Sequence, residues 1–192
     1  MAGGTALAYV GRDRHLNAFF VPTTGKTLVV VCENPVAATG SLQQCDSIAS
    51  TIKLSGVKAV PLQPDAGYGQ RVQATLLALS TSKTRALLAM TAAKKASGQA
   101  AAARDIATAY TKAASSLAPL SRNTDPRLTA LNTHLVDLLR KSASSYSAVA
   151  AAADKSDAAA YSSAAKRASA AESQTAAALS ALRALGYRVA RA

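Results

Sequence analysis

The chain has no Trp, two Phe, two Cys and two His among its 192 residues. Each shortage removes a class of protein. Two Cys cannot build a disulfide-dense scaffold. Two His beside only ten acidic residues leave little material for a metal centre or a His–acid catalytic pair. With aromatics at 4 %, the chain lacks the stacking platforms of single-stranded nucleic-acid binders. No apolar run approaches the roughly 18–20 residues that a membrane helix needs. There is no Gly-x-Ser-x-Gly elbow and no Walker loop. Gly67-Tyr68-Gly69 has two glycines but no strand–helix phosphate context, and reads as the start of a helix. No cofactor, metal or enzyme chemistry follows from these residues.

What is abundant is Ala, at roughly a quarter of the residues, well above average usage and favourable to closely packed helices. The net charge is +12 although only 17 % of residues are charged. Composition and charge both change near Pro61-Leu62-Gln63-Pro64. Residues 1–65 carry five basic and four acidic side chains, a net +1, and the remainder 17 basic and 6 acidic, a net +11. Two segments are expected, 1–62 and 65–192. The start, Met1-Ala2-Gly3-Gly4-Thr5, lacks the basic and apolar regions of a signal peptide. Its Gly-Gly pair runs straight into an alternating segment, which reads as the beginning of a mature domain cut from a longer precursor.

The first segment alternates. Thr5 to Val10, Leu16 to Val21 and Lys26 to Glu33 predict three strands, separated by the polar turn Gly11-Arg12-Asp13-Arg14 and the hairpin loop Pro22-Thr23-Thr24-Gly25. Leu28-Val29-Val30-Val31 is apolar on both faces and predicts a central, covered strand. Leu42, Cys45, Ile48, Ala49 and Ile52 recur at helical spacing, and Val57-Lys58-Ala59-Val60 returns as a last strand. The order is β-β-β-α-β.

The second segment predicts an Ala-rich, up-down-up-down four-helix bundle, so the fold class is α+β. The first helix carries Val72, Leu76, Leu79, Ala86, Met90 and Ala93, with Lys83 as the one polar interruption, and Ser97-Gly98 is the expected turn after it. The second carries Ala102, Ile106, Ala109, Ala113 and Leu117 and must stop at Pro119. Asp125-Pro126 starts the third, with Leu128, Leu131, Leu135, Leu138, Ser142, Ser145, Val149 and Ala152 on its core face. Asp154-Lys155-Ser156-Asp157 is a turn with a capping residue. The fourth carries Tyr161, Ala165, Ala168, Thr175, Leu179, Leu182 and Leu185, with Gly186 as its stop.

Few residues offer chemistry. Cys32 and Cys45 close a short loop, where a disulfide would contribute about 3 kcal/mol in the chain-entropy model. A pair of buried free thiols is the alternative. His15 and His134 have no companions at ligand spacing. The basic pairs Lys94-Lys95, Arg140-Lys141 and Lys166-Arg167 are the possible contacts for a polyanion. Separated by Ala and Ser and without aromatics between them, they read as a solubilising face.

The run Leu28-Val29-Val30-Val31-Cys32 with its second Cys at 45, the helical runs Arg85-Ala86-Leu87-Leu88-Ala89 and Gln99-Ala100-Ala101-Ala102-Ala103, and the close Leu182-Arg183-Ala184-Leu185-Gly186-Tyr187 resemble extracytoplasmic accessory or sensor domains of actinobacterial cell-envelope proteins. The resemblance implies a non-enzymatic binding or structural domain, secreted or membrane-anchored through a part not in this sequence. Its implied partner is a protein or an envelope component, self-association included. The competing expectation is a basic helical protein that binds nucleic acid or another polyanion in the cytoplasm. Neither segment looks self-sufficient, since a sheet of four short strands is marginal alone and Ala buries little area. Residues 63–192 expressed alone should therefore melt below the intact chain. Equal melting temperatures, with two separate transitions in the intact protein, would show the segments to be independent.

Overall fold

The computed structural model describes residues 6–10, 16–33, 41–57, 59–60, 64–121 and 125–189. The expected turn at 11–14, His15, Pro61-Leu62-Gln63 and Arg191 lie outside them. The chain divides into two compact units, Met1–Pro64 with Thr124–Pro126, and Asp65–Asn123 with Arg127–Ala192.

The first unit is built on alternation. β1 (Leu7–Val10), β2 (Leu16–Pro22) and β3 (Thr27–Glu33) form an antiparallel meander in the order β1-β2-β3. The β2–β3 hairpin turns over the predicted loop: the Thr23 amide donates to the Lys26 carbonyl at 2.9 Å, and the Lys26 amide donates to Thr23 Oγ1 at 3.1 Å. The central strand is β2, in which Asn17, Ala18 and Val21 are buried. This corrects the expectation for Leu28–Val31. A meander of two short hairpins puts its middle strand in the middle, whatever the hydrophobicity of the third. β3 is an edge, with Val29 and Val31 exposed. The strand expected at 57–60 contributes a single isolated bridge, Thr23 to Ala59, beside a hydrogen bond from the Val60 amide to the Pro22 carbonyl at 2.8 Å. α1 (Ser41–Thr51) packs on β2 and β3 through Cys45 and Ala49, both buried. Ile48, expected on that face, is exposed, because the covered stripe runs along the four-residue step from Cys45 to Ala49.

The second unit is the bundle. Its helices are α2 (Ala66–Ala92), α3 (Ala96–Leu117), α4 (Pro126–Asp154) and α5 (Ala158–Ala184), with a single 3₁₀ turn over Ala118–Ser121 after α3. Cross-contacts fix the antiparallel sense. Tyr161 near the start of α5 reaches Met90 near the end of α2, and Arg104 near the start of α3 pairs with Asp154 at the end of α4. The α2–α3 turn is Ala93-Lys94-Lys95 and not Ser97-Gly98. Ser and Gly are tolerated in a first turn, whose amides have no intrahelical partner in any case.

The ends are built as their residues dictate. Asp65 caps α2 by accepting from the Tyr68 amide at 3.0 Å, and Asp157 caps α5 by accepting from the Ala160 amide at 2.9 Å. Carboxylates there also suit the positive end of the helix dipole. After α5, Gly186 takes φ 88°, a conformation that a Cβ disfavours. Its amide donates to the Arg183 carbonyl at 2.9 Å and the Tyr187 amide donates to the Leu182 carbonyl at 3.2 Å, the paired bonds of a Schellman stop.

The bundle core has two halves of different substance. At the end where α2 begins and α5 finishes, Val72, Leu76, Leu79, Leu117, Leu128, Leu135, Leu139, Leu179 and Leu182 are at most 2 % exposed. Toward the other end the buried cluster is Ala103, Val149, Ala150 and Ala164. Small side chains there bury less apolar area per residue and contribute less. Leu138→Ala should cost about 2–4 kcal/mol in chemical denaturation, as for other buried Leu deletions. Ser142→Ala should do the opposite. Ser142 is fully buried and its hydroxyl has no hydrogen-bond partner, so deleting it should stabilise the bundle by about 1 kcal/mol.

Candidate functional site

Three places in the described residues concentrate chemistry. The first is the sheet of the N-terminal unit. Antiparallel register sets Leu7 opposite Phe20 and Phe20 opposite Val29, and two residues along sets Tyr9 opposite Ala18 and Ala18 opposite Val31. Paired residues share a face, so these six form one surface. Leu7, Tyr9, Phe20, Val29 and Val31 are all exposed on it. The opposite face carries Asn17, Val21 and Cys32 and meets α1. There Cys32 and Cys45 stand at disulfide distance, with Cα atoms 6.2 Å apart, as their short loop allows. The pairing ties an edge strand to the helix that covers it.

The second place is a polar cluster inside the bundle, to which each helix gives one residue: Lys83 from α2, Tyr110 from α3, Tyr146 from α4 and Glu172 from α5. One carboxylate oxygen, Glu172 Oε1, accepts from the Tyr110 hydroxyl at 2.7 Å and the Tyr146 hydroxyl at 2.9 Å. Lys83 Nζ lies 3.2 Å from the same oxygen. The two tyrosine rings stack with centroids 5.8 Å apart, and the Lys83 ammonium stands 6.0 Å from the Tyr110 ring centre. The Lys83 and Glu172 side chains are 17 % and 28 % exposed, so water screens the pair only in part. Burial pushes the Tyr110 phenol well above its ordinary range, and the hydrogen bond to the Glu172 carboxylate adds to it. Tyr146 is raised likewise by burial and then by the Glu172 charge. Sequence reading found only Lys83, as an interruption. The signal for all four was spacing: Lys83, Tyr110, Tyr146 and Glu172 each follow a buried residue by four positions, namely Leu79, Ile106, Ser142 and Ala168.

A smaller network sits at the Leu-rich end. The Tyr68 hydroxyl donates to Asn132 Oδ1 at 3.1 Å, and Asn132 Nδ2 donates to the Leu117 carbonyl and to Ser121 Oγ, both at 2.9 Å. The Tyr68 and Tyr187 rings meet edge to face at 5.2 Å, and the Tyr187 hydroxyl accepts from the Asp65 amide at 3.0 Å. Burial is the main reason that the Tyr68 phenol is also raised. These bonds satisfy a fully buried Asn and pin the C-terminal turn to the start of α2.

The third place is the opposite end of the bundle. A shallow cavity of about 250 Å³ opens there between the starts of α3 and α5, with Ala152 and Ala153 beside Gln99, Asp157 and Tyr161.

The six basic residues singled out from sequence are all exposed. Lys94 and Lys95 occupy the α2–α3 turn. Arg140 and Lys141 lie at mid-length of α4, about 20 Å along the axis from its end at 1.5 Å per residue. Lys166 and Arg167 lie between these heights on α5. Several have local partners: Arg140 pairs with Asp137 at 3.3 Å, Lys141 donates to Gln174 at 3.0 Å and Arg167 to Ser163 at 3.0 Å. His134 is exposed, as its helix position predicts. Among the described residues no group of three His, Cys, Asp or Glu converges, and no helix is long and apolar enough to cross a membrane.

The tyrosines give a pH prediction with a definite sign. A phenol whose folded pKa is raised favours the folded state up to the unfolded value near 10, and that advantage is lost as pH rises further. The melting temperature should therefore fall steeply above about pH 10. Tyrosinate absorbance from Tyr68, Tyr110 and Tyr146 should appear together with unfolding, and Tyr110→Phe should flatten the fall.

Comparison with protein-family models, curated proteins and solved structures finds no match for the chain, so these sites alone bear on its function.

Proposed function

We propose that this chain is a non-enzymatic interaction module of an extracytoplasmic compartment, secreted or attached to the membrane through another part of its protein. The observation that carries the reading is the outer face of the N-terminal sheet. Five large apolar side chains from three adjacent strands are exposed on one surface, and among the described residues its one charged member is Glu33 at the strand end. Soluble proteins rarely leave such a contiguous apolar surface without a partner to cover it. The partner is a protein or envelope component with an apolar patch of its own. The Cys32–Cys45 pair supports the compartment, since structural disulfides persist where the environment is oxidising. Spread along the bundle and partly engaged locally, the basic side chains support a solubilising role in preference to polyanion recognition.

Two measurements test this. Thiol titration of denatured, unreduced protein from its native source should find no free thiol; two would place the protein in a reducing compartment. Val29→Lys with Val31→Lys should change folding stability by less than about 1 kcal/mol, as expected for surface positions, while removing association with envelope components in cross-linking. A loss of more than about 3 kcal/mol would make the face part of the core instead.

A further inference from the structure

We propose that the outer face of α2 joins two copies of this chain as an antiparallel, two-fold symmetric dimer. Leu77, Thr81, Thr84 and Leu88 follow one another at steps of four, three and four residues, so at about 100° per residue they form one stripe along three turns. All four are exposed, Leu77 by 59 % and Leu88 by 68 %. Among the described residues of the bundle, the exposed large apolar side chains are these two leucines and Leu87, which flanks the stripe. The threonines add to its apolar character. The Thr81 hydroxyl donates to the Leu77 carbonyl at 3.0 Å, and farther along the face the Thr91 hydroxyl donates to the Leu87 carbonyl, so both are satisfied within the helix.

Two observations say what covers this stripe. The first is charge. The chain carries +12, and the exposed sides of the other helices bear Lys112 on α3, Arg140 and Lys141 on α4, and Lys166 and Arg167 on α5. A second copy brings the same charges and is repelled from those faces. On α2 the charged residues, Arg71, Lys83 and Arg85, stand roughly 80° or more from Leu77 around the axis, so two copies can meet on the stripe without setting charge directly on charge. The second is symmetry. In either direction the stripe reads Leu-Thr-Thr-Leu with the same steps. A two-fold axis between Thr81 and Thr84 therefore sets Leu77 of each copy opposite Leu88 of the other, with threonine on threonine at the centre. An isologous contact requires such self-complementarity. Small central residues let the helices approach, and the leucines pack at both ends as in an antiparallel heptad seam. The stripe shares no residue with the apolar sheet face of the N-terminal unit. One helix face is a small interface, so association is expected to be micromolar or weaker.

Sedimentation equilibrium of the full chain from roughly 10 µM to 1 mM spans that range and should show monomer and dimer in exchange. Leu77→Lys with Leu88→Lys should weaken the dimer at least about tenfold and move the melting temperature by no more than a few degrees, as expected for surface positions. Val29→Lys with Val31→Lys should leave it unchanged. A chain that stays monomeric throughout would overturn the proposal, and so would a dimer that survives the leucine substitutions or is lost with the valine ones. A milder pair of variants tests the orientation. Mixed Leu77→Cys and Leu88→Cys chains, gently oxidised, should form a disulfide between unlike chains. Either variant alone should not, because like positions lie about 16 Å apart along the axis at 1.5 Å per residue. Cross-links between like chains, or none in the mixture, would overturn the two-fold antiparallel contact.

Discussion

A methyl group is the whole side chain that much of this bundle has to offer its core. Alanine lets helix backbones approach closely and costs no rotamer entropy, but the area it removes from water is small and its surface is nearly featureless. Both consequences run through the structure. Cohesion has to come from elsewhere, and the Leu layers concentrate it at one end, where α4 alone buries Leu128, Leu135 and Leu139. Shape has to come from elsewhere too, and tyrosines supply it. Tyr68, Tyr110, Tyr146 and Tyr187 are all buried, each with its hydroxyl in a hydrogen bond. In a chain with no Trp and two Phe, the phenol ring is the available space-filler, and its polar tip demands a partner.

That demand explains where the polar interior sits. Asn132 and Glu172 are acceptors placed on facing helices where a phenol reaches them. The uncommitted cations, by contrast, stay outside, where solvent and short local contacts accommodate them at little energetic gain.

The N-terminal unit meets the problem of small size differently. Three short strands and one helix bury a core too thin to be robust, and the Cys32–Cys45 pair compensates by tying β3 to α1. The tie covers one sheet face only. The other carries aromatic and aliphatic side chains in register across three strands, and five of them are exposed.

Local signals were enough for the helices and the three strands, and overstated one element, the strand expected at 57–60, which is a single bridge at Ala59. Period-two and four-residue patterns, Pro119, Asp125-Pro126, Asp157 and Gly186 located strands, helices and their ends, because each acts within a few residues of its own backbone. The cysteine pair was legible for the same reason, being close in sequence. Three features were not. Which strand is central depends on hairpin order, so the apolar run at 28–31 misled. Ser97-Gly98 looks like a breaker, but whether a first turn tolerates it depends on where Lys95 ends the preceding connection. The four-residue polar cluster spans nearly ninety positions, from Lys83 to Glu172, and its members look like separate exceptions on separate helices. The sequence by itself determined the three strands, the helices and the Ala-rich bundle, and made a Cys32–Cys45 disulfide one of two readings. Only the tertiary structure decided the strand order, the open sheet face and the meeting of four polar side chains at one oxygen, because each depends on which distant backbones are brought side by side.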